Sequence, residues 1–201
     1  MLYNDHFDEL KSRMMAYWER DEVDRCSIAL MVKRPDARQY AGGNYYYDTV
    51  KADYMSRLRF ESLDYLWEAI PAYLPYFGTG LAEYAGAQAE YAPNTVWFHP
   101  CMEEPDIDAV AFKCPEVFER QKAAMADLVE LAHKDYAVTV TDNCGIADAL
   151  SCMRGAEELL MDMLTEEDFV MEAIQKLIGI YKETQEQFFK VVKENNEGSI
   201  H

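Results

Sequence analysis

Short apolar runs of strand length alternate with segments of helical periodicity, and this alternation constrains the chain more than any other feature. Residues 26–32 (CSIALMV) form an unbroken apolar run that stops at Lys33, Arg34 and Pro35. A run of this kind is buried on both faces of a parallel sheet. Residues 72–77 predict a second strand, closed by Gly78-Thr79-Gly80, and residues 136–141 (YAVTVT) a third, rich in β-branched side chains. Before the first run, Phe7, Leu10, Met14 and Trp18 recur at three- and four-residue steps, which is one face of a helix. The spacing predicts further helices over residues 49–69, ended by Pro71, and 115–134, opened by Pro115 at the first helical position. The apolar face of the latter is Phe118, Met125, Leu128, Val129 and Ala132. A short helical piece covers 81–85, and two extended pieces, 87–91 and 95–99, flank Pro93-Asn94 as a β-hairpin. Residues 146–153 read as a helix ending at Gly155, and Thr165 with Asp168 as a capping box opening a long helix to residue 195. Strands alternating with helices predict a parallel α/β architecture, with no internal repeat.

Composition narrows the function classes. The 201 residues carry 19 Lys and Arg against 37 Asp and Glu, a formal net charge of −18. That charge argues against a nucleic-acid backbone or an anionic membrane as partner. Half of the residues are apolar, enough for a sizeable core, yet no apolar run is long enough to span a bilayer. The acidic start, with Asp5, Asp8 and Glu9, is unlike a secretion signal. Cys26, Cys101, Cys114, Cys144 and Cys152 are an odd, scattered set without CxxC spacing, the pattern of reduced thiols in a cytoplasm.

Three stretches read in order, residues 95–100 (TVWFHP), 141–145 (TDNCG) and 154–162 (RGAEELLMD), resemble the uroporphyrinogen decarboxylase family, in particular its divergent bacterial decarboxylase-like members. The resemblance covers nearly the whole chain but only the N-terminal half of a full-length member. It implies the N-terminal portion of a (β/α)8 TIM barrel over residues 1–201: about three βα units, an N-terminal helix and an inserted hairpin. A complete barrel takes ~250 residues. Residues 198–201 come where a fourth strand would begin, so the chain is expected to stop in mid-fold. The implied activity is that of a carboxy-lyase removing carboxyl groups from a tetrapyrrole without a cofactor. Related members are zinc enzymes that transfer methyl groups to or from a corrinoid or thiol, with ligands in the half that is missing here. The family's carboxylate-binding arginine pair, four residues apart after the first strand, falls on Arg34 and Arg38. Where the family places a central aspartate after the second strand, this chain has Phe77-Gly78-Thr79-Gly80. The family tyrosine after the third strand is replaced by Ser151 or Cys152.

The candidate site residues each admit two readings. Arg34 and Arg38, beside Lys33, can pair carboxylates through the guanidinium fork, or belong to an ordinary solvated loop. Asp142 ends the third strand with Thr141 and Asn143, where barrel enzymes place catalytic groups, and can act as a general base. Asn143 and Asp148 are ligand-binding candidates in the same loop, and helix capping is the competing role for all three. Gly78 and Thr79 sit in a turn whose N–H groups can hold an anion or form a plain turn. His99-Pro100-Cys101 contains donors that zinc accepts but has no second ligand pair at zinc spacing, so no metal set is assigned. Trp97, Phe98, Tyr45, Tyr46 and Tyr47 either line a flat ligand or simply pack.

Three function classes follow. The first is a decarboxylase-like protein acting on an anionic, carboxylated, tetrapyrrole-like small molecule. The second is the N-terminal half of a zinc-dependent corrinoid or thiol methyltransferase. The third is a non-catalytic fragment that pairs with another chain. A parallel sheet cut after three strands leaves two raw edges, so a homo-oligomer or a complementary C-terminal half is the expected partner.

Overall fold

The structure is a computed structural model that describes residues 5–21, 24–39, 43–78 and 80–198. It is a mixed helix–strand fold, with seven α-helices and three small two-stranded sheets among these residues. Helix α1 (Phe7–Glu19) buries Phe7 and Leu10, and the predicted face fades along its length until Trp18 lies exposed.

The first predicted strand departs from expectation. Strand β1 (Ala29–Lys33) is exposed along its whole length and pairs antiparallel with β2 (Leu63–Trp67), in register from Ala29↔Trp67 to Lys33↔Leu63. The helix expected to run to residue 69 therefore stops early, as α2 (Thr49–Glu61). Leu63, Leu66 and Trp67 fit a helical period, but the following glutamate decides the outcome. Glu68, almost wholly enclosed, accepts from Arg13 Nε, Arg25 Nη2 and the Ile28 backbone N–H, at 2.8, 2.8 and 2.7 Å. Arg25 foremost, with Ile28 and Arg13, holds the Glu68 carboxyl down at about 2 against the cost of its burial. This knot ties α1 and the start of β1 to the end of β2, a tertiary contact that overrides local periodicity.

Two strands, not three, form the parallel arc. Strand β3 (Ala72–Tyr73) pairs parallel with β6 (Ala137–Val138), with Ala137 N donating to Pro71 O and Thr139 N to Tyr73 O, both at 2.9 Å. The other edge of β6, expected to be raw, is filled by side chains. Asn196 accepts from Val138 N at 3.1 Å and donates to Val138 O at 2.8 Å, copying a neighbouring strand. Asn195 donates to Tyr136 O at 2.9 Å and accepts from Lys134 N at 3.0 Å. Asn195 and Asn196 are thus buried ladder partners.

Between the two parallel strands the chain forms α3 (Gly80–Tyr84), the hairpin β4 (Gln88–Ala92) and β5 (Thr95–His99) turning at Pro93-Asn94, and α4 (Pro115–Ala132). Helix α4 buries Phe118, Met125, Leu128 and Ala132 as its spacing predicts, and packs on α7 (Glu167–Val192), where the Phe118 and Phe188 rings lie 5.0 Å apart. Arg57 clamps α2 to the end of α4, donating to Asp135 and to Leu131 O at 2.7 Å while Tyr136 donates to Asp53 at 2.8 Å. After β6 come α5 (Ile146–Arg154) and α6 (Ala156–Thr165), broken at Gly155, whose φ of 102° lies in the region that favours glycine. Thr165 does not open the long helix. It is the last residue of α6 and donates to Met161 O, and α7 begins without a side-chain cap.

Arg154 and Asp162 form a buried ion pair at 2.8 Å, and Arg154 also donates to Glu103 O at 2.6 Å, so one guanidinium joins α5, α6 and the loop after β5. Removing one member of such a pair leaves the other charge buried and unpaired. Asp162→Ala is expected to destabilise the fold by about 3–5 kcal/mol in urea unfolding. A loss below about 1 kcal/mol would show that solvent reaches the guanidinium freely.

Candidate functional site

The C-terminal ends of β3 and β6 point the same way, and the loops that leave them meet. In a parallel arrangement this is where ligand-binding loops gather. From β3 the chain passes through buried Phe77 to Gly78, whose φ is 71° and whose missing side chain lets β5 close down: a Cβ there would lie 2.8 Å from Val96 Cβ. Gly78 therefore answers first to hairpin packing. Thr79 lies outside the described residues.

Gly80 opens α3 and carries the closest approach between the two loops. A Cβ at Gly80 would stand 2.7 Å from Asn143 Oδ1, 2.9 Å from Tyr84 OH and 3.1 Å from Gln121 Oε1. The Tyr84 hydroxyl donates to Gln121 Oε1. Asn143 is 3% exposed, and among the described residues both of its amide atoms and Gln121 Nε2 have no hydrogen-bond partner. An unpaired buried amide costs on the order of 1–3 kcal/mol per group. The site thus holds one donor and one acceptor on Asn143 and a further donor on Gln121.

The flanking aspartates act on the backbone. Asp142 is exposed, and its Oδ1 accepts from Cys144 N at 2.8 Å, which supports the left-handed Cys144 at φ 56°. Asp148 Oδ2 accepts from Gly145 N at 2.9 Å and so caps α5. Capping is therefore a formed contact for Asp148, and a local turn contact for Asp142. Arg34 and Arg38 lie elsewhere, in and after the loop that follows β1, on a different sheet from β3 and β6. Arg34 donates to Asp64 across the hairpin at 2.7 Å, and Arg38 is exposed. The structure brings Gly78, Asn143, Asp142 and Asp148 into one region and leaves the two arginines outside it.

A second polar group on α3 is not evident from spacing alone. Glu83, nearly buried, accepts from Tyr91 OH at 2.8 Å, and Tyr91 OH lies 3.2 Å from Tyr47 OH. Arg120 stacks 4.2 Å over the Tyr47 ring and stands 3.7 Å from Glu83. Burial pushes the Glu83 carboxyl above its ordinary value, with the Tyr91 hydrogen bond and Arg120 opposing. Burial likewise pushes the Tyr91 phenol up. Tyr46 donates to Ala92 O and Thr95 O, and Tyr47 stacks on Phe77 at 5.0 Å, so these aromatics serve packing. Gln121 had one legible signal: a lone polar residue within the apolar stripe of Phe118, Met125 and Leu128.

His99 lies 3.3 Å from Glu90. Among the described residues no three His, Cys, Asp or Glu side chains are grouped to hold a metal, and no helix is long and apolar enough to cross a membrane. Compared with known proteins, the chain matches no family model, no curated protein and no solved structure.

A carboxyl whose pKa is raised on folding binds its proton more tightly in the folded chain, so stability falls as pH climbs from the ordinary carboxyl range through the raised value. Glu83→Gln removes that dependence and still accepts from Tyr91. The difference in melting temperature, variant minus wild type, is expected to grow in the variant's favour between about pH 4 and about pH 8. A flat difference across that range would place the Glu83 charge at no cost in the fold.

Proposed function

We propose that the chain is the N-terminal portion of a uroporphyrinogen decarboxylase-like (β/α)8 barrel, and that it binds a carboxylated, tetrapyrrole-like small molecule at the C-terminal ends of β3 and β6. The observation that carries this reading is the meeting of Gly80 and Asn143, which joins the loops after two adjacent parallel strands. On this reading Asn143 supplies a hydrogen-bond donor and acceptor to the ligand, and Asp142 faces the reacting group as base or hydrogen-bond acceptor. Gly78 lends its backbone N–H, and Asp148 holds the loop. Arg34 and Arg38, beside the β1–β2 hairpin and outside this region, are not assigned to the ligand.

Two parallel strands do not close a barrel. Binding rather than turnover is therefore the property to measure on this chain, with carboxy-lyase chemistry assigned to a completed barrel.

Calorimetric titration with coproporphyrin, and with a simple tricarboxylate for comparison, tests the reading. Asn143→Ala is expected to weaken porphyrin binding about tenfold or more through loss of its amide, while Arg34→Met with Arg38→Met is expected to leave it unchanged. Absent binding, or binding unchanged in Asn143→Ala, would overturn the proposal.

A further inference from the structure

Helix α6 turns opposite faces to opposite surroundings. Leu159 and Asp162 point inward, the latter onto Arg154, whereas Leu160 (64% exposed), Met161, Met163 and Leu164 (81% exposed) stand in solvent. At 3.6 residues per turn Ala156, Leu160, Met163 and Leu164 share one stripe, and Ala156 to Leu164 spans ~12 Å. Ala156 also lines a cleft of about 330 Å³ with Tyr76, Phe98, Cys152 and Trp97, which is 62% exposed. Cleft and stripe therefore form one apolar track, running from the β4–β5 hairpin along α6.

Charge decides what can lie on it. From residue 155 to residue 175 the sequence has seven acids and not one Lys, Arg or His. Asp162 is ion-paired, while Glu157, Glu158, Glu166, Glu167, Asp168 and Glu172 are exposed and have no ion pair among the described residues. A second copy docked two-fold on this face would bring two such rims together, in a chain of net charge −18. An anionic membrane is repelled for the same reason. Opposite charge on the partner turns that penalty into attraction, and flexible methionines adapt to an incoming side-chain pattern.

We propose that this track is a docking surface for an amphipathic helix of a partner protein, apolar along one side and flanked by Lys and Arg. The mode is helix-in-groove, with apolar anchors on the α6 stripe and in the cleft, and basic flanks against the acidic rim. Its cleft end adjoins the ligand site proposed at β3 and β6 through Tyr76, which lies near Asp142 and Cys144, while the leucine anchors on α6 belong to the track alone.

The probe is a fluorescent Leu/Lys amphipathic peptide of about five helical turns, titrated with the full chain by anisotropy, beside a Leu/Glu peptide of equal length. Saturable binding of the basic peptide alone is expected, weakening with salt. Leu160→Ser with Leu164→Ser leaves the net charge unchanged and is expected to cost about tenfold or more in affinity. Equal affinity in that variant would reduce the effect to attraction by net charge and overturn the proposal. So would sedimentation of the wild type as a dimer that the serine variant dissociates, which would assign the face to a second copy. Circular dichroism checks that the variant folds, and Leu164→Ser alone replaces it if helix is lost.

Discussion

Strand β6 is only two residues long, and both of its edges are spoken for. On one side its backbone pairs with β3; on the other the amide of Asn196 supplies the donor and acceptor that a neighbouring strand would supply. Buried backbone polar groups must find partners, and this requirement fixes where the end of α7 lies against the sheet. With β6 anchored in this way, the Thr141–Gly145 loop and the Gly78–Gly80 turn leave from adjacent points and converge. The polar cluster of Asn143, Gln121 and Tyr84 exists because the strands beneath it are fixed and Gly80 has no side chain to separate them.

Around that arc the structure relies on a few enclosed charges more than on sheet area. Glu68 gathers Arg13, Arg25 and the Ile28 N–H, Arg57 bridges α2 to α4, and Arg154 with Asp162 locks α5 to α6. Each joins segments distant in sequence, and each enclosed charge has its partner in place, which is the condition for burying it. The six exposed acids of residues 157–172 have no such ion pair among the described residues. They set the sign of the surface, and on α6 they border apolar side chains that the fold leaves uncovered.

Much of the fold was legible because local physics decided it. The Pro93-Asn94 hairpin, the proline-opened helix with Phe118, Met125 and Leu128 inward, and the helix after Gly145 all form where turn chemistry and apolar spacing place them. The first apolar run departs from its pattern for an equally physical reason. A continuous apolar strand is compatible with a buried parallel position, but here it pairs antiparallel with β2, and Glu68, forty residues from Ile28, fixes the start of that exposed pair. The candidate site was legible at its loops, Gly78 and residues 142–148. It was not legible at Glu83, Tyr91 and Arg120, whose proximity depends on how α3, β4 and α4 pack.

The sequence by itself determined the mixed helix–strand class, the strongly acidic surface and most helix positions, since these follow from composition, period and capping within short stretches. Tertiary structure alone decided which strands pair, that two asparagines stand in for a missing strand, and that Gly80 meets Asn143. Those outcomes turn on hydrogen-bond partners and close approaches between residues far apart in the chain, and no local pattern encodes such a distance.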